Sequence, residues 1–218
     1  YEIYAGLASR EGENSMNKII TISREFGSGG RELGRRLSEI LGIAYYDQEI
    51  ITEIANRTKL AEQYVDQIVE KQPLVSFPIH IGRTLYPVPN PVLEQRQSIL
   101  LQHHQIIREM AQKSDCVIVG RCADYILKDF SPFRIFVYAE LESRVARCSS
   151  RCTENEKYSE KELRQKILSV DKKRAKYYNS YTGQCWGDIL NYDLCVNTSQ
   201  QGIKKFSCMI AGMFEQIK

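Results

Sequence analysis

Long apolar runs are missing from this 218-residue chain. No stretch approaches the roughly eighteen residues that carry a helix across a bilayer, so no membrane span or membrane partner is expected. Histidine is scarce: the three residues are His80, His103 and His104, and none stands at a ligand-like spacing. Cys148 and Cys152 lie one helical turn apart and could form half a metal site. Small apolar positions on a helix account for them better, and no protein-held metal is expected. An export signal is lacking too. Residues 1–15, YEIYAGLASREGENS, carry Glu2, Arg10, Glu11 and Glu13 and no apolar core segment. Seven cysteines, an odd number spread from Cys116 to Cys208, then read as reduced thiols in a cytoplasmic protein.

What is present is ordinary for a globular domain: 43% hydrophobic and 26% charged residues. Met16 begins the run MNKIITIS, which enters the first strand directly. The expected organisation is an extension or cloning-derived segment over 1–15 and a single domain over 16–218. Net charge is +3 but uneven. Between Arg144 and Lys176 eleven Lys and Arg face five Asp and Glu, giving +6, and the remainder carries −3. A cationic segment of this kind suits closure over an anionic ligand, although Lys157, Lys161 and Lys166 read as a solvated helix face. The basic residues are not interleaved with aromatic stacking positions, so no nucleic-acid partner is expected.

Strands are expected over 18–23, 43–47, 116–121, 134–139 and 192–199, and helices over 30–41, 48–58, 60–71, 92–113, 141–150, 159–178 and 200–216. Gly42 stops the first helix, and Ser159 with Glu162 forms a capping box at the start of the sixth. Five of the six prolines, Pro73, Pro78, Pro87, Pro89 and Pro91, fall in one stretch, which reads as a flap without regular structure. A polar connection is expected over 151–159. Short apolar strands alternating with helices imply a parallel sheet covered on both faces.

TISREFGSGGRELG, residues 21–34, sets four glycines within eight residues behind an apolar strand, where a helix begins. That arrangement supplies backbone N–H groups and a helix N-terminus to an anion. A phosphate-binding loop normally continues with lysine and then serine or threonine; here Arg31 and Glu32 follow the last glycine. Arg31 is the nearest substitute cation, with Arg24, Arg35 and Arg36 further off. The same glycines also fit, more loosely, a dinucleotide turn with Asp47 as the ribose acid, although Glu32 occupies its third glycine.

ITISREFGSGGRELGRRL, LGIAYYD, CVIVGRCADYIL, SVDKKRAKYY and YDLCVNTS, spanning Ile19 to Thr198, together resemble the cytidylate kinase-like group of nucleoside monophosphate kinases. The resemblance implies an α/β fold: a P-loop NTPase-like three-layer α/β/α parallel sheet, a monophosphate-binding insertion over 48–91 and a helical lid over 144–176. It implies transfer of the γ-phosphoryl group of ATP to CMP or dCMP with Mg²⁺. Gly27, Ser28, Gly29, Gly30 and Arg31 would hold the donor phosphates, with Glu32 at the position of the loop hydroxyl. Asp47 would open the insertion. Arg121 would clamp the acceptor phosphate, and Asp124 would face the acceptor nucleoside. Arg144 and Arg147 would be lid-edge cations. Asp171 would contact the nucleoside and Arg174 the phosphates. Two further departures stand beside the missing lysine: Val119 replaces a strand acid and Ile167 an arginine.

Two other readings remain at this level. One is a non-catalytic nucleotide- or phosphate-binding protein that keeps the kinase shape; the other is an NAD(P)-dependent oxidoreductase. Arg35, Arg36, Arg108 and Arg164 read as surface ion pairs, and Tyr177, Tyr178 and Tyr181 as packing behind the lid. The acceptor base and the oligomeric state are left open by the sequence.

Overall fold

Residues 17–66, 68–69, 91–151 and 158–215 are described by the structure, a computed structural model. Residues 1–15, the flap from Pro73 to Pro89, Cys152 and most of the polar connection lie outside the described residues. Along the chain run β1 (Ile19–Arg24), α1 (Gly30–Leu41), β2 (Ala44–Tyr46), α2 (Glu49–Thr58), α3 (Glu62–Asp66), α4 (Pro91–Lys113), β3 (Cys116–Val119), α5 (Ala123–Ile126), β4 (Phe133–Tyr138), α6 (Leu141–Ser149), α7 (Glu160–Thr182), β5 (Leu194–Asn197) and α8 (Ile203–Glu215).

The strands form one parallel sheet in the order β2-β3-β1-β4-β5. Its two faces are filled by alternate residues of the same strands, as period-two geometry requires. Ile19, Cys116 and Ile118 pack with Ile50 and Ile54 of α2, Ile106 and Ile107 of α4 and Tyr177 and Tyr178 of α7. Ile20, Ile22, Val117, Val119, Ile135 and Val137 pack with Leu33 and Leu37 of α1 and Ile210 and Ala211 of α8. The molecule is therefore the expected three-layer α/β/α sandwich. β1 lies at the centre; from it the chain goes to the edge at β2, returns to β3 beside β1, and then crosses to β4 and β5 on the other side. In such a sheet the crevice beyond the carboxyl ends of the strands is where ligands collect.

Two local features differ from expectation. Pro91 starts α4 instead of ending the flap; proline suits the first helical position, whose N–H has no intrahelical carbonyl to meet. β3 stops at Val119, because Gly120, Arg121 and Cys122 all take left-handed backbone, with φ of 75°, 61° and 54°. That turn leads into α5, a short helix the apolar pattern does not announce.

Candidate functional site

The turn from β1 into α1 runs over Glu25 to Gly29 at the centre of the sheet's carboxyl edge. Gly27 and Gly29 are left-handed, with φ of 79° and 88°, and Gly29 caps α1. The turn is held from outside by its carbonyls. Arg147 Nη1 donates to Gly27 O at 2.6 Å and its Nη2 to Thr198 O at 2.9 Å. Thr198 Oγ1 donates to Ser28 O at 2.6 Å. Asp171 Oδ1 accepts the Phe26 N–H at 2.7 Å, and Arg144 bridges Asp171 and Phe26 O. Arg174 Nη1 donates to Arg24 O at 3.3 Å, with its guanidinium 5.8 Å from the Phe26 ring centre. α6, α7 and the residue after β5 thus fix the loop's oxygens on the protein side.

Inside the turn opens a cleft of about 720 Å³. Gly27, Gly29, Gly30, Arg31 and Arg174 line it, so five of the expected site residues reach it directly. Ser28 is buried beneath the turn, and Arg144, Arg147 and Asp171 act from behind. Glu32 is turned elsewhere: it pairs with Arg36 at 3.0 Å and with Arg151 beyond α6, tying the loop helix to the lid. Burial works to raise its carboxyl pKa, but the hydrogen bonds from Arg36 and Arg151 outweigh it and hold the pKa below the usual range. Glu25 is the opposite case. Burial raises its pKa, against the Ala139 N–H at 3.0 Å and Arg144 at 3.6 Å.

The acceptor-side candidates lie deeper. Asp47 meets Arg31 at 2.5 Å and Arg24 at 3.8 Å. Arg121, with no exposed side-chain surface, reaches Asp66 of α3 at 3.1 Å. Asp124 is buried under α7, where it accepts from Tyr178 Oη at 2.6 Å. Burial raises its pKa, and the Tyr178 bond opposes that only in part.

Arg24 is the residue that motif reading undervalues. It lines both the main cleft and a smaller adjoining pocket that also touches Arg121 and Arg174. Arg151, Lys166 and Lys173 extend the positive wall along α6 and α7; only the local excess of charge hinted at them. Glu25, Glu62 and Asp66 bring carboxylates to the same cleft. Among the described residues, no group of three or more His, Cys, Asp or Glu side chains is placed to hold a metal ion. No described helix is long and apolar enough to cross a membrane.

Comparison with known proteins places this geometry. The model of the cytidylate kinase-like family matches residues 19–200. A cytidylate kinase of Methanopyrus kandleri is 26% identical over 196 residues, covering 85% of this chain and 87% of the relative. Among solved structures, an uncharacterized protein of Eubacterium ventriosum superposes with a TM-score of 0.63 at 25% identity, over 91% of this chain and 98% of that one. A shikimate kinase of Bacteroides thetaiotaomicron shares the fold at a TM-score of 0.52 and 13% identity, with 91% and 98% covered.

Proposed function

The chain belongs to the cytidylate kinase-like family, and we propose that it transfers the γ-phosphoryl group of ATP to a nucleoside monophosphate, CMP or dCMP foremost. The observation that carries this reading is the glycine turn. Its Gly27 and Ser28 carbonyls are taken by Arg147 and Thr198, while Gly27, Gly29 and Gly30 face the cleft. The first-turn N–H groups of α1 have no intrahelical acceptors, so the turn offers donors and a helix dipole to the donor phosphates.

Phosphoryl transfer asks the protein chiefly for alignment and for cations around the equatorial oxygens. Arg174 stands on the cleft wall for that purpose, and Arg31 at the rim meets the donor phosphates. Arg144 and Arg147 act by fixing the loop and closing the lid edge. Arg121 is the acceptor-phosphate clamp, released from Asp66 when the monophosphate arrives; Asp47 and Asp124 frame the acceptor side, while Asp171 holds the loop in place behind it. Mg²⁺ comes with ATP as its counter-ion. Glu25 and Asp66 are the wall carboxylates able to meet its waters, in keeping with an ion that binds through phosphates and one or two carboxylates. Bound there, it would neutralise charge on the phosphate oxygens.

The test follows ADP release from ATP and Mg²⁺ across a panel of nucleoside monophosphates, with wild type beside Arg121→Ala. Turnover with CMP or dCMP is expected, falling by about 10²- to 10³-fold in Arg121→Ala, the scale for losing one charge-stabilising group. A non-catalytic nucleotide-binding role is the competing reading, favoured by Val119. That side chain is packed into the core against α1, where a strand acid would otherwise stand. Absence of ADP release with every acceptor, together with an ATP-dependent rise in thermal stability, would establish it instead.

A further inference from the structure

Arg24 ends β1, and its side chain is only 6% exposed. It does not follow the strand into the core but crosses the mouth of the turn. A Cβ on Gly30 would sit 2.6 Å from the Arg24 Cβ and 3.0 Å from its Cγ. A Cβ on Gly120 would sit 1.6 Å from Arg24 Nη1 and 2.8 Å from its Cζ. Carbon atoms do not approach so closely, so two glycines, at the first residue of α1 and at the turn after β3, leave the volume through which this one side chain passes. Its guanidinium ends where the two pockets meet, with Asp47 at 3.8 Å, the loop on one side and the Arg121 turn on the other.

Arg31 is placed quite differently. Its side chain is 58% exposed at the rim, held by Asp47. A cation that is to meet charge developing on a transferred group must be fixed, and low water content makes it worth more. Arg24 meets both conditions, whereas Arg31, although held by Asp47, stands in water and meets only the first.

We infer that Arg24, not Arg31, is the cation that contacts the transferred phosphoryl group, entering from the strand side in place of a helix-borne lysine. The inference rests on the kinase reading above. In the step, an acceptor phosphate oxygen bonds to the γ-phosphorus, and the bond from that phosphorus to the β-bridging oxygen breaks. The electron pair leaves with ADP, and Arg24 stays protonated throughout. A guanidinium is a fork and not a point charge, so it can span an equatorial oxygen and the bridging oxygen together.

The experiment compares the full chain with Arg24→Gln, Arg24→Lys and Arg31→Gln, in steady-state transfer and in calorimetric binding of ATP and of AMP. Arg24→Gln should lower kcat by about 10²- to 10³-fold while the KM for ATP changes less than about tenfold. Arg24→Lys should recover at least about tenfold of that loss, and the kcat loss in Arg31→Gln should be at least about tenfold smaller than in Arg24→Gln. Arg24→Gln with a kcat near that of wild type, or the large loss appearing in Arg31→Gln instead, overturns the inference. If Arg24→Gln does not fold, Arg24→Lys decides through the same kcat-against-KM split. If wild type transfers to no acceptor, the kinase reading falls and the binding arm still judges Arg24. A contact to the outer phosphates weakens ATP by at least about threefold more than AMP in the Arg24 variants, and equal losses for the two nucleotides refute it.

Discussion

His103 lies wholly inside the protein on α4, close to the Arg121 turn. Burial first, and the Arg121 and His104 charges after it, press its pKa down to about 3, with the Arg121 backbone opposing this only weakly. The unfolded chain titrates this group near 6.5. Between those values the unfolded state binds the extra proton, so stability is fully present above about pH 6.5 and drains away as pH falls towards 3. His104, lowered by burial and by Arg108, works in the same direction from the next position. Urea unfolding from pH 7 to pH 5 should show His103→Leu with a flatter slope than wild type, the difference reaching about 1.4 kcal/mol per pH unit. Parallel slopes would mean that the imidazole is not held neutral. Single residues are also where sequence reading succeeded and failed most sharply. Arg35, Arg36, Arg108 and Arg164 do sit in ion pairs with Glu39, Glu32, Asp129 and Glu142. Arg24 was ranked behind Arg31 because a motif search looks for the cation after the glycines. The space that receives its side chain is made by positions 30 and 120, which no local pattern connects to it.

At the level of elements, α1 was legible to its end residues because glycine punctuates both: Gly29 caps the start, and Gly42, with φ of 64°, caps the finish. The start of α7 was equally plain, since Ser159 and Glu162 exchange both capping-box hydrogen bonds. α5 and the left-handed run before it carried no such signal. Non-glycine residues at positive φ are sustained by tertiary contacts, here Arg121 against Asp66 and His103, and not by their own preference. α7 touches the site through Asp171, which holds both the Phe26 N–H and the Arg144 guanidinium. Asp171→Ala should cost about 3 kcal/mol in chemical denaturation, the low end for breaking a buried pair, since Glu25 still lies 3.6 Å from Arg144. A cost below about 1 kcal/mol would mean that α7 and the loop are not coupled through this carboxylate.

For the molecule as a whole, one sheet separates two apolar clusters, with Ile54 of α2 in one and Leu37 of α1 in the other, both fully buried. Each truncation to alanine should cost about 2–5 kcal/mol. Because the sheet stands between them, the double variant should lose the sum to within about 0.5 kcal/mol. A coupling larger than about 1 kcal/mol would show that the faces yield together. The sandwich was readable from the sequence because continuous apolar strands demand cover on both sides. The cleft was readable only in part: the glycine loop, Arg31 and Arg174 were expected on it, but its other walls come from α3, α6 and the rest of α7, which lie far apart in the sequence.

The crossing of Arg24 over Gly30 also limits the routes open to mutation. A lysine on the first residue of α1 would begin with a Cβ 2.6 Å from that of Arg24, so the two long cations exclude each other from one volume. An arginine that follows this path from position 24 therefore depends on glycine at position 30, and each of the two residues limits what the other can become.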